Sequence, residues 1–306
     1  MRCSARLRQL ALPLAQRTAP EPRSLVPMRI ALGVSYLGTA YAGWQSQPDG
    51  RTVQDRLQQA LQRFTDGPPV HTLCAGRTDA GVHGLMQVVH FDTLLQRPAM
   101  SWVRGTNTFL PPDIAVQWAA EVPVDFHARA CATGRRYIYI LMEAAVRPSL
   151  EAGRVGWVFR PLDATAMRAA ADKLLGEHDF SSFRAAACQA LSPIKTLRRI
   201  GISRHGAYWR FEFEGNAFLH HMIRNIMGCL IAVGQGNRPP EWIEDVLAAR
   251  SRDAAAPTFA PDGLYFAGPL YDAHWQLPAR TAAFDWLPGG QEQEAPPTGG
   301  AAHSAA

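Results

Sequence analysis

Two short segments hold residues able to do chemistry. The first runs Ala75-Gly-Arg-Thr-Asp-Ala-Gly-Val-His-Gly84 and sets Arg77, Asp79 and His83 among three glycines. Glycine permits positive φ and close backbone approach, and polar loops between apolar segments often carry function. A carboxylate held there can act as a nucleophile or a base. It can equally brace a tight turn by accepting backbone N–H groups, and spacing alone leaves both readings open. The second segment runs Asn216-Ala-Phe-Leu-His-His-Met-Ile-Arg-Asn-Ile-Met-Gly228. Arg224 interrupts a stretch apolar enough to be buried, and an unpaired buried cation is costly. It must face a cleft or meet a carboxylate. Asp79 is the expected partner, held by the guanidinium through two hydrogen bonds. The adjacent His220 and His221 raise the question of a metal. Neighbours on a helix point about 100° apart, unlike the i, i+4 pair of a zinc helix, so no metal is expected.

The pattern around these segments supplies a frame. Arg29–Tyr36 reads as a strand and Gly38–Gly43 as a turn. Thr52 offers an N-cap to a helix with Val53, Leu57, Leu61 and Phe64 on one face. Leu85–Phe91 and Ile114–Trp118 are strand-like, with Gly105–Pro112 as loop punctuation before the second. Tyr137–Met142 is another strand, where Tyr137 by itself reads as a core aromatic. Asp163 caps a helix through Ala166, Ala170 and Leu174. Ile200–Ser203 and Tyr208–Glu214 form a hairpin around His205-Gly206, with Trp209, Phe211 and Phe213 on one face. A buried helix is expected over His220–Val233 and a short one over Glu241–Arg250, after Pro239-Pro240. Mixed strands and helices, with antiparallel hairpins and no Gly-rich βαβ opening, indicate an α+β fold. The boundary between its halves falls near Val122–Phe126.

Composition narrows the function classes. Hydrophobic residues make up 47% of the 306 and charged residues 19%, which suits a packed core and excludes a disordered chain. The apolar run Ile226–Val233 is far short of the roughly 20 residues that span a bilayer. Five scattered Cys without ligand spacing fit a reducing cytoplasm rather than a disulfide frame or zinc site. The net charge of +5 is misleading, because residues 1–27 carry five Arg against Glu21 alone. Local clusters say more: Lys195, Arg198, Arg199, Arg204 and Arg210 have no acid among them, and Arg129 to Arg160 is also Arg-rich. Such patches suit a polyanion, although solvated strand faces look the same. Residues 1–27 read as a disordered arm or an upstream start, and residues 288–306, rich in Gly, Pro and Ala, as a disordered tail.

At these residues the chain resembles the bacterial A-type tRNA pseudouridine synthases. The resemblance spans Met28–Tyr271 and includes Gly38-Thr-Ala-Tyr-Ala-Gly-Trp-Gln45, Thr52-Val-Gln54 and Gly76-Arg-Thr-Asp-Ala-Gly-Val-His-Gly84. It continues through Gln87-Val-Val-His-Phe91, Leu110-Pro111 with Asp113-Ile114, Phe126-His-Ala-Arg129 and Arg136-Tyr137. His178-Asp-Phe180, Asn216-Ala-Phe218, His220-His-Met-Ile-Arg-Asn225 and Gly263-Leu-Tyr265 complete it. A lone Gly-Arg-Thr-Asp is weak; this many blocks in order are specific. Lys195 stands where Arg is common and Phe266 where Leu is usual.

The resemblance implies isomerisation of uridine to pseudouridine in the anticodon stem-loop of tRNA, at tRNA positions 38, 39 and 40, without cofactor or metal. It implies Asp79 as the nucleophile, toward either base or sugar. Tyr137 would contact the target base, Arg77 hold the extruded nucleotide and Leu264 floor the pocket, with Arg224 as the supporting ion pair. The basic stretches Arg129–Arg136 and Lys195–Arg210 would position the RNA by its phosphates. The implied fold is two similar α+β domains, residues 28–124 with the Asp79 loop and residues 125–275. Their mostly antiparallel sheets meet at a central cleft with helices on the outer faces, usually in a cytoplasmic homodimer without membrane contact. Two alternatives are a catalytically silent RNA-binding module, which would tolerate loss of Asp79, and a metal-dependent hydrolase, which a chelator would stop.

Overall fold

The computed structural model describes residues 27–278, so the expectations for the N-terminal arm (Pro27 apart) and for the tail lie outside the described residues. The order is β1 (Met28–Tyr36), α1 (Val53–Thr65), β2 (Leu73–Cys74), β3 (His83–Thr93), α2 (Ala99–Phe109), β4 (Ile114–Val122) and β5 (Ala132–Glu143). Then come β6 (Gly156–Val158), α3 (Ala164–Asp172), β7 (Gly176–Asp179), β8 (Ile194–His205), β9 (Tyr208–Gly215), α4 (Met222–Gly234), α5 (Trp242–Ala249) and β10 (Leu264–Tyr271).

Local sequence accounts for most of these elements. In β9 the period-two pattern buries Trp209, Phe211 and Phe213 while Arg210 and Glu212 stay partly exposed. The hairpin between β8 and β9 turns at Gly206, whose φ of +57° is the left-handed value glycine adopts freely. Thr52 caps α1 by accepting the Asp55 N–H, and Val53, Leu57, Ala60 and Leu61 form its buried stripe. Asp163 caps α3 by accepting the N–H groups of Thr165 at 2.7 Å and Ala166 at 3.1 Å.

Two expectations need correction. Gly105 does not punctuate a loop; it lies inside α2, where that helix meets α1. A Cβ at Gly105 would fall 1.9 Å from the Phe64 ring, so its bareness lets the helices approach. Asn107 then ties α2 to β4 by exchanging two side-chain hydrogen bonds with the Val116 backbone. The second correction concerns α4, which begins at Met222 rather than His220. His221 precedes it in a left-handed conformation, with φ 61° and ψ 4°.

Among the described residues the strands form one ten-stranded sheet in the order β4-β1-β3-β10-β5-β9-β8-β7, with β2 beside β3 and β6 beside β5. The expected pair of sheets is thus a single sheet, mostly antiparallel and joined across a seam. The joint is short and parallel: β10 meets β3 only through Tyr265 beside His83 and Phe266 beside Gly84. Register aligns Tyr36, Gly84, Phe266, Tyr137 and Phe213 in one row across the seam. On one half of that face the core joins β1, β3 and β4 to α1 and α2 through Leu32, Leu57 and Trp102. On the other half it joins β5 and β9 to α3, α4 and α5 through Tyr139, Phe211, Ile226 and Val246. The end of the Asp79 loop and the start of α4 therefore meet over the seam.

Candidate active site

The loop between β2 and β3 presents Asp79, and its backbone is pinned at nearly every step. Gln87, fully buried, exchanges two hydrogen bonds with the Gly76 backbone. The Thr78 hydroxyl meets the Tyr36 hydroxyl at 2.9 Å, and the Thr78 carbonyl accepts the Trp44 N–H at 3.1 Å. The Asp79 carbonyl accepts the Val82 N–H at 3.1 Å, and Gly81 within that turn has φ +79°. This is the position a type II turn reserves for glycine. His83, 1% exposed, accepts the Gly38 N–H at Nδ1 and donates from Nε2 to the Asp262 carbonyl, both at 2.9 Å. Burial pushes its imidazole below the ordinary histidine range, in keeping with a neutral ring that accepts on one side. His83 is a structural pin beside the site, not part of its chemistry.

The Asp79 side chain does not brace its own turn. Its carboxylate looks away from the loop to the start of α4, where Arg224 Nη1 lies 3.4 Å from Oδ2. His220 Nε2 lies 3.4 Å from Oδ1, and His221 Nε2 lies 3.5 Å from Oδ2. The expected partnership with Arg224 is present, but through one nitrogen rather than two. Arg224 Nε is committed elsewhere, donating to the Phe259 carbonyl at 2.8 Å, while Phe259 N–H returns a bond to the Arg224 carbonyl. The strap Pro257–Phe259 is itself docked on α4: Thr258 bonds the fully buried Asn225, and Gly228 leaves room for the Pro257 carbonyl. The guanidinium is thus aimed from two sides before it reaches Asp79.

The two histidines were not expected at Asp79, because the helical reading sent their rings apart. The left-handed turn at His221 lets both reach one carboxylate, with ring centroids 4.1 Å apart. Histidine is among the residues that visit this backbone conformation more often, but only the tertiary fold shows it here. Burial lowers the His221 pKa, the Asp79 charge opposes this, and His220 and Arg224 reinforce it. The premise that excluded a metal, adjacency on a helix, therefore does not hold. Asp79, His220 and His221 each offer a ligand atom, all within 4.8 Å of one another.

The remaining candidate residues fall at different distances from this centre. Tyr137 on β5 packs its ring against Phe218 and Phe266, at 5.2 and 4.9 Å between centroids. Burial first and the nearby Asp79 charge second push its phenol well above the usual range. Leu264, 4% exposed, opens β10 in the same apolar cluster as Tyr137 and Val82. Arg77 is exposed and reaches Gln189 at 3.2 Å, not Asp79.

The basic stretches are less available than their composition suggests. Arg135 is turned inward, where its guanidinium binds the carbonyls of Ala75, Arg129, Ala132 and Asn216 and braces the seam. On β8 and β9, Arg198 faces Glu214, Arg199 and Arg210 face Glu212, and Arg204 meets Glu143 at 2.9 Å. The acids facing Arg198, Arg199 and Arg204 come from other strands, β9 for Glu212 and Glu214 and β5 for Glu143, so a count along one strand missed them. Arg210 pairs two residues along its own strand. Arg77, Arg129 and Arg136 remain exposed.

Comparison with known proteins assigns the family. The family described as tRNA pseudouridine synthase matches residues 33–129 and 170–272. The tRNA pseudouridine synthase A of Paracidovorax citrulli (strain AAC00-1) is 70% identical over 279 residues, covering 85% of this chain and 100% of that protein. Those of Acidovorax ebreus (strain TPSY) and Polaromonas naphthalenivorans (strain CJ2) are 70% and 69% identical with the same coverage. With the match taking in both the Asp79 loop and the start of α4, the chain belongs to the tRNA pseudouridine synthase family.

Proposed function

We propose that this chain isomerises uridine to pseudouridine in the anticodon stem-loop of tRNA, with Asp79 as nucleophile. Family membership supports the reaction class. One observation carries the site: Asp79 stands at the seam with its carboxylate oxygens turned toward Arg224 and not used by its own loop. Arg224 balances the carboxylate charge in a partly dry setting, where the two side chains are only 14% and 19% exposed. Attack by Asp79 on the base or the sugar breaks the bond between uracil N1 and ribose C1′. The uracil then turns, C5 bonds to C1′, the bond to Asp79 breaks to return its carboxylate, the C5 proton leaves and N1 gains one. Atoms balance with no net oxidation.

The other residues serve positioning in this reading. Tyr137 contacts the target base from the aromatic row, Leu264 floors the pocket and Arg77 holds the extruded nucleotide. A stacked uridine must leave its stack, at a cost of a few kcal/mol, and exposed Arg77, Arg129 and Arg136 supply phosphate contacts that hold the stem while it does. Residues 28–124 and 125–275 act as two α+β domains on either side of the seam. A cytoplasmic homodimer acting on the three anticodon-stem-loop uridines completes the proposal.

The test uses unmodified tRNA labelled with tritium at uridine C5 and the full chain without added cofactor. Label release is the expected result; no release from any tRNA overturns the reading. Asp79→Asn is expected to bind tRNA within a few-fold of wild type while release falls by about 10⁴-fold or more, the scale of losing a nucleophile. Near-normal release by that variant would place the nucleophile elsewhere.

A further inference from the structure

We propose that Asp79, His220 and His221 form a binding site for a zinc-class divalent cation that reversibly switches the site off. Three donors converge there, one carboxylate oxygen and two imidazole nitrogens, within 4.8 Å of one another. The two carboxylate-to-imidazole separations are 3.4 and 3.5 Å. Zinc held tetrahedrally at about 2.0–2.1 Å sets neighbouring donors about 3.3–3.4 Å apart. Each imidazole already stands at that edge from one carboxylate oxygen, and with all three donors within 4.8 Å a small closure of the side chains completes the cage.

These separations are also long for N–H···O bonds, whose range ends near 3.2 Å. The imidazoles are thus within ion-pair reach of the carboxylate without a good hydrogen bond to it, which leaves their nitrogens available to a cation. Their convergence depends on His221 sitting at φ 61°, a conformation uncommon for a residue with a side chain. Two imidazoles and a carboxylate with one position open to water is a donor set zinc accepts in enzymes. The site is reachable, since the His220 side chain is 38% exposed.

One group opposes the cation. Arg224 Nη1 lies 3.4 Å from Asp79 Oδ2, and its Nε is tied to the Phe259 carbonyl, so the guanidinium cannot withdraw far. The same positive charge that suits an ionised Asp79 repels a metal. Affinity is accordingly below that of a dedicated zinc site, and the bound cation is an inhibitor rather than a resident cofactor. Inhibition rests on the reading of Asp79 as nucleophile; binding does not.

The experiment titrates the full chain with cobalt(II), whose tetrahedral complexes absorb strongly in the visible, and then displaces it with zinc. A visible band that zinc abolishes is expected. His220→Gln, His221→Gln and Asp79→Asn should each weaken binding by more than about tenfold, the scale already produced by losing an outer-shell partner. Arg224→Met should do the opposite and tighten it by about tenfold, the effect of removing one like charge at this range. Zinc should inhibit label release over the same concentration range, with recovery on adding EDTA and protection by tRNA. No band from wild type, or a titration unchanged by the histidine variants while circular dichroism shows them folded, overturns the site. A band that responds to the variants without any loss of turnover upholds the site and overturns Asp79 as nucleophile.

Discussion

The two halves of the sheet deliver their parts of the site by opposite means. In the N-terminal half α1 lies on the outside, with four of its thirteen residues buried, and Asp79 is carried by a loop. In the C-terminal half α4 is driven into the middle, with eleven of thirteen buried, and Arg224 rides on it. The difference follows from charge and solvent. A carboxylate on a glycine-rich loop needs only a pinned backbone, which Gln87, Thr78 and His83 provide. A guanidinium facing it needs dry walls, because an ion pair gains strength only as water is removed. The apolar helix supplies those walls, and the strap Pro257–Phe259 supplies the aim.

The sharpest break of this contrast is at Arg224. Arg224→Met is expected to lower turnover by about 10²–10³-fold, as for loss of one preorganised charged donor. It should also cost about 3 kcal/mol of stability by leaving Asp79 unpaired. Arg224→Lys should fold but turn over more slowly, because an ammonium cannot bond Phe259 and Asp79 in the same geometry. On the outer helix Arg56→Met should change stability by less than about 0.5 kcal/mol. Urea unfolding and label release on all three variants measure the difference, and equal costs for Arg224→Met and Arg56→Met would erase it.

Two glycines sharpen the comparison at the level of packing. A Cβ at Gly228 in α4 would meet the backbone carbonyl of Pro257 at 2.2 Å, and backbone cannot swing aside. Gly228→Ala should cost about 3 kcal/mol and, by displacing the strap that aims Arg224, lower turnover as well. The three atoms nearest a Cβ at Gly105 in α2 all belong to the Phe64 side chain. That ring can give, and alanine regains about 1 kcal/mol of helix propensity. Gly105→Ala should therefore cost about 1–2 kcal/mol and leave turnover unchanged. Loss of turnover in Gly105→Ala without unfolding would show the outer helices to be coupled to the site.

The last contrast is with acid, and it falls on the N-terminal half. His83 and His90 both lie on β3 and accept a backbone N–H at Nδ1, from Gly38 at 2.9 Å and Ala128 at 3.2 Å. Burial lowers both, His90 to about 4. The folded chain refuses protons that the unfolded chain takes. Their stabilisation is thus complete above the unfolded histidine pKa of about 6.5 and is lost as pH falls toward about 4, by about 3 kcal/mol for His90 alone. Urea midpoints against pH should show the fall, with amides of β1 and β3 losing exchange protection before those of β8 and β9. Simultaneous loss in both halves would mean that the sheet opens as one unit.

Much of the frame was legible in residue order. The cap at Thr52, the period-two burial in β9 and the turn at Gly206 are local, so short windows contain their cause. Gly105 shows the limit: the same residue breaks a helix or seats a neighbouring one, and only Phe64, 41 positions away, decides. Cation pairing was missed for a related reason. Arg198, Arg199 and Arg204 find their acids across strands, where sequence distance says nothing about contact.

By itself the sequence determined the family, the Asp79 loop and the need for Arg224 to find a carboxylate. The family follows from the resemblance of ordered motifs, and the other two from residue types whose chemistry holds in any packing: glycine's freedom, a buried cation's cost and a carboxylate's reach. Only the tertiary structure decided that one sheet spans both halves, that β10 enters at the seam beside β3, and that Arg135 is a brace rather than a phosphate ligand. It also decided where the histidines point. A single left-handed residue at His221 turns two rings that a helix would separate onto one carboxylate. Histidine visits that conformation more often than most residues with a side chain, yet its type alone does not select it at this position.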